Sequence, residues 1–222
     1  MTTSNKGGLP MERNNERENQ APSAKNVLVI LGEGFEDAEA CVLVSALRWT
    51  EYRPHLAEVN VVVTGLRPVV RGWFGTVYET DIALEDADPA DYDAVVVPGG
   101  FKSRGYEELY DERVLSIVRA MNEQGKPIVT LCVGVFVIGE AGALEGRRAT
   151  VYELSANKDN LACLRGYGAI PTHERVCVDG NLVSCTGPAA SEEVAALLLD
   201  MLVGKEQAAE VERFRLGLGA LP

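Results

Sequence analysis

Short uninterrupted apolar runs alternate along this chain with stretches in which apolar side chains return every three or four positions. The runs at 26–31 (NVLVIL), 92–97 (YDAVVV) and 128–131 (IVTL) lack the in-and-out alternation of a half-exposed strand. That is the pattern of strands covered on both faces. Residues 58–64 (EVNVVVT) form another strand candidate, rich in β-branched side chains. The helical period predicts helices over 37–50, 111–124 and 133–141, one around 155–164, and two near the end over 191–203 and 205–216. In the first helix the stripe runs through Ala38, Cys41, Val42, Ser45 and Trp49. The second stops at Gly125 with Pro127 beyond it, and Ser191 with two following acids is a candidate N-cap for the fifth. Residues 69–81 read as a short hairpin excursion, and Asp179-Gly180-Asn181 between two short apolar runs is a hairpin signal. Strands alternating with helices predict a three-layer α/β sandwich around a mostly parallel sheet. In such folds ligands collect at the carboxyl ends of the strands.

Composition narrows what such a fold would do. The 222 residues carry 21 Lys and Arg against 33 Asp and Glu, a net charge of −12. An acidic surface disfavours nucleic acid and anionic membranes, both of which are bound through clustered cations. No apolar run is long enough to span a bilayer. Residues 1–24, rich in Asn, Glu and Arg, read as a flexible tail without a signal peptide. The main domain is expected over 25–204 and a helical extension over 205–222; the eighteen residues after Gly204 are too few for a helix-turn-helix module. Five widely spaced cysteines and two histidines, His55 and His173, form no zinc or redox spacing. The expectation is a cytoplasmic protein with free thiols, no metal and no cofactor, acting on a small molecule.

Three loops at strand ends carry the candidate chemistry. The first contains Glu33, Glu36, Asp37 and Glu39. Negative charge at a helix N-terminus explains Glu36 and Asp37, whereas Glu39 lies further in and could point back over the strand ends. The second is Pro98-Gly99-Gly100-Phe101, where paired glycines permit a tight turn or expose backbone N–H groups to a ligand. In the third, a strand runs straight into a helix at Cys132, the arrangement of a nucleophile elbow. The helix N-terminus would lower the thiol pKa there, although an inert buried thiol is the other reading of a cysteine so placed. For Cys41, Cys163, Cys177 and Cys185 packing is the expected role.

Four segments in order, VLVILGEGFEDAEA, YDAVVVPGG, KPIVTLCVGVFVIGEAGALEGRRAT and DGNLVSCTGPAASEEVAALLL, resemble the ThiJ/PfpI superfamily. The resemblance runs from about Lys25 to Gly204. It implies a flavodoxin-like, class I glutamine amidotransferase-like sandwich and a homodimer. It also implies that Cys132 is the nucleophile, that Glu39 is its protonated partner acid, and that the N–H groups of Gly100 and Val133 form an oxyanion hole. Gly99, Phe101 and Tyr152 would border the pocket, with Trp73, Phe74 and Tyr106 as further aromatic candidates. The chain departs from the pattern in its histidines. PfpI-type members carry one where Val133 stands, and deglycase-like members carry one near Tyr152. An ordinary phenol, with a pKa of about 10, is a poor substitute base.

These readings lead to a cysteine-dependent enzyme acting on a small electrophile, of hydratase, glyoxalase III-type lyase or deglycase-like hydrolase type. The alternative is a stress-responsive binding or chaperone-like module in which Cys132 senses oxidation without turnover.

Overall fold

In the computed structural model, which describes residues 23–52 and 55–218, each doubly apolar run becomes an inner strand. Of the tail expected over 1–24 only Ser23 and Ala24 are described, and the rest lies outside the described residues. The chain order is β1 (Lys25–Leu31), α1 (Asp37–Arg48), β2 (Val59–Gly65), β3 (Val69–Arg71), β4 (Val77–Glu79), β5 (Ala94–Val97), α2 (Glu112–Glu123) and β6 (Ile128–Leu131). It continues with α3 (Val135–Glu140), β7 (Arg148–Ala149), α4 (Asn160–Gly166), β8 (Ile170–Pro171), β9 (Val176–Asp179), β10 (Leu182–Cys185), α5 (Ser191–Val203) and α6 (Lys205–Arg215). Six strands form the main sheet in the order β2-β1-β5-β6-β10-β9. All neighbours are parallel except the β9–β10 pair, the hairpin read at Asp179-Gly180-Asn181. β3 and β4 make the antiparallel excursion after β2.

The pleat sends alternate residues of each inner strand into two cores. Val27, Val29 and Leu31 face α1, α5 and α6, whereas Leu28 and Ile30 face α2, α3 and α4. All five side chains are fully buried, which is why β1 shows no polar alternation. Helix α2 follows the sequence reading closely. Asp111 caps it by accepting from Arg113 N–H at 3.0 Å, and Val114, Ile117, Val118 and Met121 face the core. Gly125, with φ +67°, supplies the left-handed residue that ends it.

Three local expectations are corrected. In α1 the inward face holds Glu39, Ala40, Leu43, Val44, Ala46 and Leu47, while Ala38 and Ser45 of the stripe read from the sequence are exposed. Both stripes fit a 3.6-residue period, and the glutamate among the inward positions disguised the buried one. The helix expected around 155–164 starts only at Asn160, with Asp159 capping it through Ala162 N–H at 2.9 Å. Residues 155–159 offer only Ala156 as an apolar side chain, so an earlier turn would bury nothing. Ser191 is the first helical residue of α5 rather than its cap, because the turn Pro188–Ala190 already leads into the helix.

Order along the sheet locates the ligand end. From β1 the chain moves outward to β2 and then returns to the other side of β1 as β5. This reversal leaves a crevice at the carboxyl ends of β1 and β5, the usual ligand position in open α/β sheets. The loops after β1, β5 and β6 all end there.

Candidate active site

Where β6 ends, Cys132 adopts φ +52° and is the only non-glycine residue with positive φ among the described residues. A left-handed cysteine is disfavoured by its Cβ, so surrounding structure must hold it in place. Two glycines make that possible. A Cβ at Gly99 would lie 2.7 Å from Cys132 Cβ and 2.9 Å from Glu39 Oε2. A Cβ at Gly134 would lie 2.5 Å from Val97 O and 2.8 Å from Pro98 O. The bare backbones let the turn Cys132–Gly134 and the loop after β5 close on each other, and α3 follows directly.

Glu39 lies behind this elbow with no exposed surface. Its Oε2 accepts from Gly99 N–H at 2.6 Å, while its Oε1 is buried without a hydrogen-bond partner. Burial pushes the carboxyl up to about 8, with the nearby Glu36 charge adding to the shift and the Gly99 bond opposing it. The acid is therefore mostly neutral at pH 7. Glu36 caps α1 by accepting from Glu39 N–H at 2.7 Å, and burial raises its pKa as well. Unlike Glu39, it borders the open cleft.

The Cys132 thiol is not the lowered one expected from its helix. Burial pushes it well above the ordinary thiol range, and negative charge on Glu39 adds to this, while Val133 N–H, directed at the sulfur, lowers it. One six-residue helix and one N–H donor do not offset that desolvation. The loop after β5 presents a further donor. Glu36 N–H bonds Gly99 O at 2.8 Å and Phe101 N–H bonds Gly34 O at 2.9 Å, so the intervening Gly100 N–H turns away from that bridge. A side chain at Gly100 would collide with the Tyr106 ring, whose hydroxyl donates to Pro98 O.

Cys132, Val133 and Gly100 open into a cleft of about 800 Å³. Its walls include Phe74, Phe101, Tyr106, Phe136 and Tyr152. Trp73 stacks on Phe101 with ring centroids 4.6 Å apart, and Phe74 meets the same ring edge-on at 6.0 Å. Asp37 organises this aromatic wall. It accepts from Phe74 N–H at 2.8 Å and from Thr76 N–H at 2.7 Å, and so ties the β3–β4 turn to α1. Its role is thus wider than the dipole interaction read from the sequence. Glu36 as a cleft residue was also missed, because a capping acid and a cleft acid look alike in sequence. Neither histidine borders the cleft. His55 pairs with Glu210 at 2.7 Å, and His173 pairs with Glu153 at 2.9 Å on the surface. Among the described residues, no group of three or more His, Cys, Asp or Glu side chains could hold a metal ion. None of the described helices is long and apolar enough to cross a membrane.

The fold and site define a flavodoxin-like α/β sandwich with a cysteine at a strand-to-helix elbow. Residues 25–201 match the DJ-1/PfpI family, and the chain belongs to that family. It is 30% identical over 163 residues to Deglycase TK1284 of Thermococcus kodakarensis, a match covering 73% of this chain and 90% of that protein. Deglycase PYRAB04690 of Pyrococcus abyssi is 31% identical over the same length and the same shares. Protein DJ-1 homolog A of Arabidopsis thaliana is 29% identical over 198 residues, 88% of this chain but only 47% of that longer protein. Among solved structures, Drosophila melanogaster DJ-1beta superposes with a TM-score of 0.73 at 25% identity, covering 89% of this chain and 100% of that chain.

Proposed function

We propose that this protein is a cysteine-dependent enzyme acting on reactive carbonyl compounds, with a deglycase-like reaction the best-supported case. Hydratase and glyoxalase III-type lyase chemistry would use the same apparatus. The observation that carries the reading is Cys132, held at positive φ at the cleft wall with a neutral buried carboxyl behind it. The two relatives named deglycases, matched over 90% of their length, support it.

In this reading the Cys132 sulfur adds to the carbonyl carbon, forming a C–S bond as the π pair moves to oxygen. The N–H groups of Gly100 and Val133 receive the developing oxyanion, a contribution of about 3 kcal/mol for a single well-aimed donor. The ionised fraction of Glu39, whose pKa is raised to about 8, takes the proton that the raised thiol must give up and returns it to the oxyanion. Glu36 is the carboxyl on the substrate side of the elbow. With both histidines elsewhere, carboxyls carry the proton traffic.

The test is turnover of a panel containing an α-dicarbonyl, its adduct with an amino acid, an isonitrile and an amide. Cys132→Ala should abolish turnover of the carbonyl substrates, and Glu39→Gln should lower it by roughly 10²–10⁴-fold. Turnover at the wild-type level in both variants would overturn the reading.

A further inference from the structure

Cys185 lies beside the elbow in a way its core position concealed. It is the last residue of β10 and is paired with Leu131 in the parallel β6–β10 ladder, so Cys132 is its diagonal neighbour. Neighbouring strands lie about 4.8 Å apart. One step along the diagonal keeps the Cα atoms within the roughly 4.4–6.8 Å that a disulfide spans. Leu131 and Cys185 also point into the same core, on the α1 side of the sheet where Glu39 lies. Burial raises the pKa of the Cys185 thiol as it does that of Cys132, and negative charge on Glu39 adds to both. Their exposure differs. Cys185 has no exposed surface and its Sγ contacts Gly187 O at 3.6 Å, whereas Cys132 borders the cleft. A soluble oxidant meets Cys132 first and reaches Cys185 only through it.

We propose that Cys185 is the resolving thiol for Cys132, closing a reversible disulfide inside the site when the protein meets a hydroperoxide. In the first step the Cys132 sulfur attacks a peroxide oxygen and its thiol proton passes to the departing oxygen. The O–O bond breaks, water or an alcohol leaves, and the sulfur, oxidised by two electrons, becomes a sulfenic acid. In the second, the Cys185 sulfur attacks the Cys132 sulfur. The S–S bond forms, the S–O bond breaks, and water leaves carrying the thiol proton. The buried Glu39 carboxyl, beside both sulfurs, relays that proton. A dithiol reductant reverses the link by exchange, restoring both thiols while being oxidised itself. Capture by a neighbouring thiol keeps Cys132 from further, irreversible oxidation.

The experiment is covalent and needs no substrate, so it stands apart from the carbonyl-chemistry reading. Reduced protein is treated with a several-fold molar excess of hydrogen peroxide, alkylated, and mapped by mass spectrometry without reduction. The wild type should become two hydrogens lighter, with a cross-linked peptide joining residues 132 and 185, and should regain its mass with dithiothreitol. Cys132→Ser should form no such link. Cys185→Ser should accumulate a Cys132 sulfinic acid, two oxygens heavier and not reversed by dithiothreitol. If the wild type accumulates that sulfinic acid while Cys185 remains alkylatable, the proposal is wrong. The wild-type map alone decides, whether or not the serine variants fold.

Discussion

Replacing Glu39 with glutamine should make the protein's stability less sensitive to rising pH. Glu39 is fully buried, takes one N–H bond from Gly99 on Oε2, and has an unpartnered Oε1. Burial pushes its pKa from the ordinary 4.5 to about 8. The folded state thus binds this proton more tightly than the unfolded chain. The resulting stabilisation is complete below the unfolded pKa and disappears as pH rises through the folded one. Inside that window the loss is about 1.4 kcal/mol per pH unit, or on the order of 4 kcal/mol between pH 5 and 8. Glutamine keeps an acceptor for Gly99 N–H and cannot ionise, so Glu39→Gln should not show this loss. Urea unfolding of both proteins at pH 5, 6, 7 and 8 measures it, since the difference between them cancels the titration of groups unaffected by the substitution. A difference that stays constant across this range would show that Glu39 is already ionised, and would remove the basis for treating it as a neutral acid.

Two further outcomes follow from the loops around the elbow. Gly99→Ala places a methyl 2.7 Å from Cys132 Cβ and 3.0 Å from Leu131 O. It should cost about 1–3 kcal/mol in urea unfolding and lower turnover by more than the stability change explains, so wild-type activity would contradict the packing described. Asp37→Ala removes the acceptor for two backbone N–H groups and should cost about 1–3 kcal/mol, with faster amide exchange at Phe74 and Thr76 and a raised KM. Although burial opposes it, hydrogen bonding to Phe74 and Thr76 holds the Asp37 carboxyl below its ordinary 3.8. Its contribution is therefore present above that value and lost as pH falls, and the wild-type and Asp37→Ala unfolding curves should converge in acid.

The sheet and its order of elements were legible because β1, β5 and β6 are covered on both faces, which forces continuous apolar runs that sequence displays directly. Cys132 was legible for a related reason, since a strand that passes into a helix without a spacer leaves the junction residue on a sharp turn. The face of α1 was not legible. Two stripes fit the same period, and only packing against β1 and α5 selects the one that carries Glu39 inward.

What the sequence by itself determined is the alternation of elements, the cysteine at the third strand end, and the absence of the histidines that the family pattern would place beside it. Which of the four acids within seven residues is buried, and which of the four cysteines other than Cys132 lies beside it, was not decided at that level. Tertiary structure separated them, because burial and hydrogen bonding come from neighbours distant in sequence. Gly99, sixty residues away, makes Glu39 a buried acid, and the turn at Phe74 makes Asp37 a clamp. The pairing of β10 with β6 brings Cys185, fifty-three residues along the chain, beside Cys132.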